Sequence, residues 1–325
     1  MHPDSSIGIR YLREIWSYYD SLRRNQPPPE QVDWKYTVGV FNALGIGVEP
    51  TIKYLLTECT SLADFERWIE SQGGVSRAAV EHFNAVTASG AEATPAPPTG
   101  VFGEEDLAHW EREGYLVLRG AIPKEDCAEA VRYICDAIGA DLNAPRTWYT
   151  RHPLKQGIMV QLFNGAILDR NRYAPRLKAA FQQLWNRKEL LASMDRVSFN
   201  PPETEFYHFP GPKLHWDVSL KRPIPFGIQG LLYLTDTAAD QGAFTVVPGF
   251  HRRIEQWLDG AGADPRGVNL LEHFGDRPIA AEAGDFIFWD QRLPHGSRPN
   301  RATRPRIVQY INYQPLDFEY QAEWV

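Results

Sequence analysis

The second half of the chain is a succession of short strand-like segments, and this pattern limits its fold more than any other feature. Runs of aliphatic and aromatic residues occupy 226–236, 243–247, 284–290 and 304–313. Turn-forming residues, mainly glycine, proline and aspartate, separate these runs. Short strands at this spacing, with turns between them, are typical of a β-sandwich or jelly roll. We therefore predict a core built from sheets in this part of the chain.

Two potential metal ligands lie within this region, two residues apart in His215-Trp216-Asp217. Residues i and i+2 of an extended strand point to the same face, so an imidazole and a carboxylate can reach one point. If His295 arrives from another strand, two histidines and one carboxylate can occupy one face of an iron ion. That arrangement leaves positions open for a co-substrate and O2, as in non-haem Fe(II) oxygenases. A zinc site would more often use cysteine or three histidines.

A His-x-Asp pair also has a simpler interpretation, a histidine hydrogen-bonded to a nearby aspartate, because a chain with nine histidines produces the pattern by chance. Further motifs around the pair favour the metal site over this alternative. They are the opening segment 110–127, the turn at Gly242 and Val247-Pro248-Gly249-Phe250-His251, the pair Gly284-Asp285, and His295-x-Ser297 followed by Arg306.

With these motifs, the chain from about Phe102 onward resembles the phytanoyl-CoA dioxygenase family of Fe(II)- and 2-oxoglutarate-dependent oxygenases. The resemblance covers about two-thirds of the chain and departs from the family's pattern at Phe250, where the family often has serine. It implies an α+β fold in which a double-stranded β-helix (jelly roll) with flanking helices follows a small all-α N-terminal region.

The resemblance also implies the cofactors, which are Fe(II), 2-oxoglutarate as co-substrate and O2, with His215, Asp217 and His295 as the catalytic iron ligands. The implied reaction is hydroxylation of an unactivated C–H bond of a small organic substrate, with release of succinate and CO2. The same oxidising chemistry would serve desaturation, epimerisation or ring formation. A non-catalytic jelly-roll binding module is the alternative from another class. It would need a degraded site, whereas these three residues and Arg306 are intact.

Three residues are predicted to bind the co-substrate. The guanidinium of Arg306 matches the geometry of a carboxylate and would bind the far carboxylate of 2-oxoglutarate. The alternative is a surface arginine clustered with Arg301 and Arg304. Ser297 shares a strand face with the second histidine and could donate a hydrogen bond to the same carboxylate. Gln161 stands where the family often has a polar co-substrate contact, and a plain barrel-lining role is equally open.

Two further residues are predicted to contact the substrate. The segment 191–200 has a strand pattern that would point Arg196 inward, where a charged side chain needs an anionic partner. Substrate, co-substrate or an acid such as Asp217 could be that partner, and a structural salt bridge is the simplest of these. Trp216 would face the core on a regular strand, or the substrate entrance at a strand end.

The sequence predicts a division into a helical region 1–88, a linker 89–101 and the oxygenase domain 102–325. Apolar residues recur at helical spacing in the first part, and the linker is rich in alanine, proline and glycine. The helical region has several open roles, namely a packing subdomain, an arm that forms a homodimer, a docking module for a carrier-bound substrate, or a lid.

Charge and hydropathy exclude other classes of partner. The net charge is −7 and basic residues are scattered, which argues against a nucleic-acid surface. No apolar stretch approaches 18 residues and no signal-like run begins the sequence, so we expect a cytoplasmic protein without membrane spans. The three cysteines lack the spacing of a metal site. A small molecule is therefore the expected binding partner.

Overall fold

The computed structural model describes residues 5–73, 75–89, 94–95, 100–211, 213–260, 266, 274–321 and 323–324. A helical region comes first. Its helices are α1 (Leu12–Arg23), α2 (Trp34–Ala43), α3 (Val48–Thr57), α4 (Leu62–Ser71) and α5 (Arg77–Ser89). A local sequence signal explains where α4 begins. The Ser61 side chain accepts a hydrogen bond from the Asp64 amide (3.1 Å) and so caps the start of this helix.

Helices and strands are mixed in the remainder. They are α6 (Glu104–Glu113), β1 (Tyr115–Leu118), α7 (Lys124–Ile138), β2 (Lys155–Gln156), β3 (Met159–Val160), α8 (Ala166–Arg172), α9 (Pro175–Trp185), β4 (Leu191–Ala192), β5 (Val197–Asn200), β6 (Ile228–Tyr233), β7 (Thr245–Val246), α10 (Ile254–Gly260), β8 (Arg277–Pro278), β9 (Phe286–Asp290), β10 (His295–Gly296), β11 (Arg306–Tyr310) and β12 (Tyr313–Gln314). The large sheet has the order β1-β9-β6-β11-β5-β3-β2, a smaller one has the order β10-β7-β8, and β4 pairs with β12. All of these pairings are antiparallel.

The large sheet buries both of its faces, and alternation along β9 shows how. Phe286 and Phe288 point to the helical side, where the Phe181 ring of α9 lies 4.9 Å from that of Phe288. Ile287 and Trp289 point to the other side, into a core that also contains Val246 of the small sheet. Successive strand residues face opposite sides, so one strand supplies both layers. The prediction of mixed helices and sheets after a helical region is confirmed.

One predicted strand was wrong. The segment 191–200 is two strands, because β4 pairs with β12 whereas β5 pairs with β11 and β3. Residues 193–196 form the break, and the Ser193 amide donates to the Asn312 carbonyl (2.9 Å) at its start. The chain must bend between β4 and β5 to change its pairing partner, and the alternation of polar and apolar residues does not reveal this bend. The apolar, strand-like segment 157–163 is likewise extended in β3 only at Met159 and Val160.

The N-terminal helices share their apolar core with Leu191 and Leu316 of the remaining chain. Polar contacts add to this, since the Met194 amide donates to Asn42 Oδ1 (2.9 Å) and Asn164 Nδ2 donates to the Gly45 carbonyl (2.8 Å). The helical region is therefore fixed against the part that carries the small and large sheets. Most of the predicted linker, 90–93 and 96–99, lies outside the described residues, and the three-part division stays a prediction, as do the homodimer and carrier-docking roles.

In the part of the chain that the structure describes, no helix has the length and apolarity needed to span a bilayer. The three cysteines are buried free thiols. Burial raises the pKa of the Cys127 thiol to about 12 and that of Cys135 to about 11. A thiol with so high a pKa is a poor metal ligand and a poor nucleophile at neutral pH.

Candidate active site

Backbone hydrogen bonds bring the two predicted histidine ligands together. The His215 amide donates to the His295 carbonyl (2.8 Å), and the His295 amide donates to the His215 carbonyl (3.0 Å). This antiparallel bridge adds His215 beside β10, which also pairs with β7. Directly opposed residues place their side chains side by side on one face, and the two imidazole centroids lie 4.8 Å apart.

Asp217 completes the cluster. His215 Nε2 lies 3.2 Å from Asp217 Oδ1, and His295 Nε2 lies 3.1 Å from Asp217 Oδ2. One ligand atom from each of the three residues falls within 4.8 Å of the others. The i, i+2 spacing in His215-Trp216-Asp217 therefore has the geometric consequence that the sequence predicted.

A hydrogen bond from Nδ1 of each ring fixes the tautomer and the orientation of the imidazole. His215 Nδ1 lies 2.7 Å from the Lys213 carbonyl oxygen, and His295 Nδ1 lies 3.0 Å from the Leu293 carbonyl oxygen. A carbonyl oxygen only accepts, so each Nδ1 carries a hydrogen, and in the neutral ring Nε2 then offers a lone pair. Two lone pairs converge on a carboxylate, an arrangement that suits a divalent cation between them.

The charge state of the cluster follows from this proximity. Burial disfavours an ionised Asp217, but hydrogen bonds from the two histidines outweigh burial and hold the pKa of this carboxyl well below its usual range. Burial likewise disfavours a charged His215, and the bond to Asp217 outweighs it and raises the pKa of this imidazole. Half of the Asp217 side-chain surface is nevertheless accessible, because it faces a cavity. Protons and a metal ion therefore compete for the same atoms.

A glutamine that the sequence did not single out orients the carboxylate. Gln229 Nε2 donates to Asp217 Oδ2 (3.0 Å), and Gln229 Oε1 accepts from Trp289 Nε1 (2.9 Å). An indole N–H can only donate, so it fixes which end of the amide faces the carboxylate. Gln229 on β6 and Trp289 on β9 are direct partners in the sheet. The available signal was a polar residue at an inward position of an otherwise apolar strand.

The cluster opens onto a cavity of about 440 Å³. Aromatic, polar and charged groups share its wall. Beside the three clustered residues, it is lined by Ile158, Met159, Asp195, Arg196, Gln229, Phe244, Trp289, Gly296, Ser297, Tyr310 and Asn312. A concave, partly apolar site with a few convergent polar groups is typical of small-molecule binding.

Arg306 is fully buried on β11, and its Nη2 donates a hydrogen bond to Ser198 Oγ (3.1 Å). Its Nε and Nη1 are buried without a hydrogen-bond partner among the described residues. Arg306 does not line the cavity itself, but Tyr310 does. Burial raises the pKa of Tyr310, and the positive charge of Arg306 opposes this rise. The guanidinium therefore lies near this tyrosine. A buried cation with unused donors fits a carboxylate ligand, and the surface-cluster alternative for Arg306 is wrong.

The other predicted site residues divide into two groups. Ser297 and Arg196 line the cavity, and Arg196 Nη1 lies 3.8 Å from Glu49 Oε2 of α3, so an acid of the helical region is its partner. Trp216 and Gln161 do not line it. Trp216 is 2% exposed and donates to the Arg292 carbonyl (2.9 Å), so its predicted substrate contact is corrected to a packing role. Gln161 Nε2 donates instead to Gln156 Oε1 (2.6 Å), because β3 ends before it.

Two imidazoles and a carboxylate around one point have the 2-His-1-carboxylate composition that is typical of non-haem Fe(II) oxygenases. The family model of phytanoyl-CoA dioxygenase matches residues 110–308, which is more than half of the chain, so the chain belongs to this family. As a member, it is an Fe(II)- and 2-oxoglutarate-dependent dioxygenase.

Individual relatives are distant. A protein of Dictyostelium discoideum described as a candidate phytanoyl-CoA dioxygenase is 24% identical over 63% of this chain and 74% of its own length. An ectoine dioxygenase of Bordetella bronchiseptica is 25% identical over 66% of this chain and 75% of its own. Among solved structures, HygX from Streptomyces hygroscopicus, with nickel and 2-oxoglutarate bound, gives a TM-score of 0.49 at 17% identity over 67% of this chain and 89% of that one.

Proposed function

We propose that the protein hydroxylates an unactivated C–H bond of a small organic substrate, with His215, Asp217 and His295 as its Fe(II) ligands. The observation that carries this proposal is the convergence of the three ligand atoms within 4.8 Å, with both imidazoles held in the tautomer that offers Nε2. Bound iron, with 2-oxoglutarate and O2, would supply the oxidising power and release succinate and CO2.

The fold that we infer for this function is the double-stranded β-helix (jelly roll). Its support is the apolar core between the large sheet and the small sheet, to which β6, β7, β9 and β11 all contribute. The iron ligands would lie at the edge of that core, on the bridge between His215 and His295. Such a frame holds the ligands rigidly, which is what a precise coordination geometry needs.

The remaining residues would bind and orient the reactants. Arg306 would hold the far carboxylate of 2-oxoglutarate through its two unused donors, with Ser297 as a second donor. Phe244 and Trp289 would line the apolar part of the cavity and exclude water from the reacting carbon. Gln229 would keep the Asp217 carboxylate turned toward the metal.

Product mass distinguishes this proposal from the related reactions. The purified protein would be supplied with Fe(II), 2-oxoglutarate, O2 and a library of small molecules, and succinate release would identify a substrate. We expect the product of that substrate to gain one oxygen atom. A product that loses two hydrogens, or is isomeric with the substrate, would replace hydroxylation with desaturation, ring formation or epimerisation. Substrate binding without any succinate release would support the non-catalytic module.

Gln229→Leu is expected to lower the affinity for Fe(II) about 10- to 100-fold, the usual cost of losing a group that orients a metal ligand. The change removes the hydrogen bond to Asp217 and leaves the carboxylate free to turn. Fe(II) titration of the metal-free protein measures the effect. Trp289→Phe serves as the graded comparison, because it keeps the glutamine and removes the donor that orients it, together with part of the packed ring, so the loss of Fe(II) affinity should be smaller. Unaltered affinity in Gln229→Leu would contradict the orienting role.

Gly296→Ala is expected to destabilise the protein by about 1–3 kcal/mol, as overpacking does, and to weaken metal binding. An added Cβ at Gly296 would overlap the carbonyl of Lys213, the group that accepts the His215 Nδ1–H. Displacement of this carbonyl would turn the imidazole. Thermal unfolding and Fe(II) titration measure the two effects. Gly260→Ala, where the added carbon meets no described atom within 4 Å, is the matched control and should neither lose stability nor weaken Fe(II) binding.

A further inference from the structure

Two adjacent residues put opposite charges on the wall of the cavity that holds the proposed iron ligands. Asp195 and Arg196 both line it and lie in the break between β4 and β5. Among the described residues, no ion pair joins the two side chains to each other. The cavity wall therefore carries a negative and a positive group that are both available to a bound molecule.

Neutral groups hold the Asp195 carboxylate in place. Asn312 Nδ2 donates to Asp195 Oδ2 (2.8 Å), and the Ser193 hydroxyl donates to the same oxygen. Asn312 Oδ1 accepts from the Gly230 amide (2.7 Å), and because that amide can only donate, the Asn312 side chain cannot turn over without losing the bond. Within the described ranges, Asp195 Oδ1 has no hydrogen-bond partner and neither oxygen has a cation. The carboxylate is thus fixed, with one oxygen free for a ligand.

The positive group is held only loosely. The contact between Arg196 Nη1 and Glu49 Oε2 is 3.8 Å long, and the Glu49 side chain is 72% exposed. An ion pair at that distance and exposure contributes little, because water screens it. The guanidinium can therefore exchange Glu49 for a carboxylate inside the cavity, to which it could form two parallel hydrogen bonds.

We propose that the substrate is a free amino acid or a close derivative, whose ammonium group binds Asp195 and whose carboxylate binds Arg196. A neutral molecule in the same place would cover both charges without pairing them, which is unfavourable, whereas a molecule that carries both charges pairs each one. This inference rests on the proposed function, since the carbon to be oxidised must extend from the charged pair toward His215, Asp217 and His295. Glu49 would keep Arg196 paired until the substrate arrives.

The test uses the full chain loaded with Fe(II) and 2-oxoglutarate under nitrogen, titrated by calorimetry with each standard amino acid. We expect at least one to bind, and its N-acetyl and amide forms to bind at least about tenfold more weakly, because each has lost one charge. Asp195→Asn should weaken binding of the free amino acid, but it should cause no further loss of affinity for the N-acetyl form. Arg196→Gln should weaken binding of the free amino acid and cause no further loss of affinity for the amide form. Arg196→Lys should restore part of the affinity for the free amino acid. Glu49→Gln is the control and should bind at least as tightly as the wild type.

The inference would be overturned if the loaded protein binds no free amino acid, or binds the singly blocked forms as tightly as the free one. It would also be overturned if Arg196→Gln weakens binding of 2-oxoglutarate and not of the amino acid, since the arginine would then bind the co-substrate. Failure of the protein to bind Fe(II) and 2-oxoglutarate at all is a separate result. It would contradict the proposed function and remove this inference with it.

Discussion

Arg306→Met is expected to make the protein more stable in the absence of 2-oxoglutarate and to weaken binding of that co-substrate strongly. The wild-type guanidinium is fully buried, its Nη2 donates to Ser198, and its Nε and Nη1 have no hydrogen-bond partner among the described residues. Replacing buried charges by apolar side chains of similar volume often stabilises a protein by about 1–4 kcal/mol. Two hydrogen bonds between charged groups, at about 1.5–3 kcal/mol each, would be lost with the co-substrate. We therefore expect a decrease of at least about a hundredfold in affinity.

Thermal unfolding with and without 2-oxoglutarate, in the presence of a divalent metal, measures both effects. The wild type should gain stability when the co-substrate is added, because a ligand that binds only the folded state stabilises it. Without the co-substrate, Arg306→Met should unfold at a higher temperature than the wild type. Addition of 2-oxoglutarate should not raise that temperature further. Arg301→Met is the control, since Arg301 is exposed and its replacement should leave both curves as in the wild type. A full stabilising response in Arg306→Met would exclude the carboxylate-binding role.

Asp217→Ala is expected to eliminate tight Fe(II) binding and, with it, all substrate-dependent succinate formation. The change removes one of three proposed ligands and the only negative charge in the set, so two neutral imidazoles would remain for a divalent cation. His215→Ala should have the same effect. The fold should survive in both, because Asp217 and His215 face the cavity and keep 50% and 31% of their side-chain surfaces accessible.

Metal content after anaerobic loading and circular dichroism measure binding and folding separately. Asp240→Ala is the matched control, because this exposed carboxylate lies outside the cavity and its loss should change neither quantity. Full succinate formation in Asp217→Ala would rule out the metal assignment. An unfolded Asp217→Ala would instead contradict the expectation that this residue is not needed for folding.

The ligand set was predictable because its geometry is local. His215 and Asp217 share a face through the two-residue period of an extended chain, and the structure keeps that relation across the bridge to His295. The spacing could not reveal the backbone carbonyls that set both tautomers, because those contacts depend on the turns before each histidine. Arg306 was predictable from the family resemblance, since it follows His295 at the family's spacing and a guanidinium matches the geometry of a carboxylate.

The errors have a common physical cause, which is contact between distant parts of the chain. Gln229 was missed because its role depends on Trp289, a partner in another strand. Trp216 is packed against Trp257, at a centroid distance of 5.2 Å, and so could not be separated from a cavity residue by alternation alone.

The most direct test of the proposed site is anaerobic titration of the purified protein with Fe(II) and 2-oxoglutarate, followed by visible absorption. We expect a weak metal-to-ligand charge-transfer band that requires both additions, is absent in Asp217→Ala, and needs far more 2-oxoglutarate in Arg306→Met. A wild-type protein without the band, or an Asp217→Ala variant with the same band, would contradict the claim that His215, Asp217 and His295 hold iron beside Arg306.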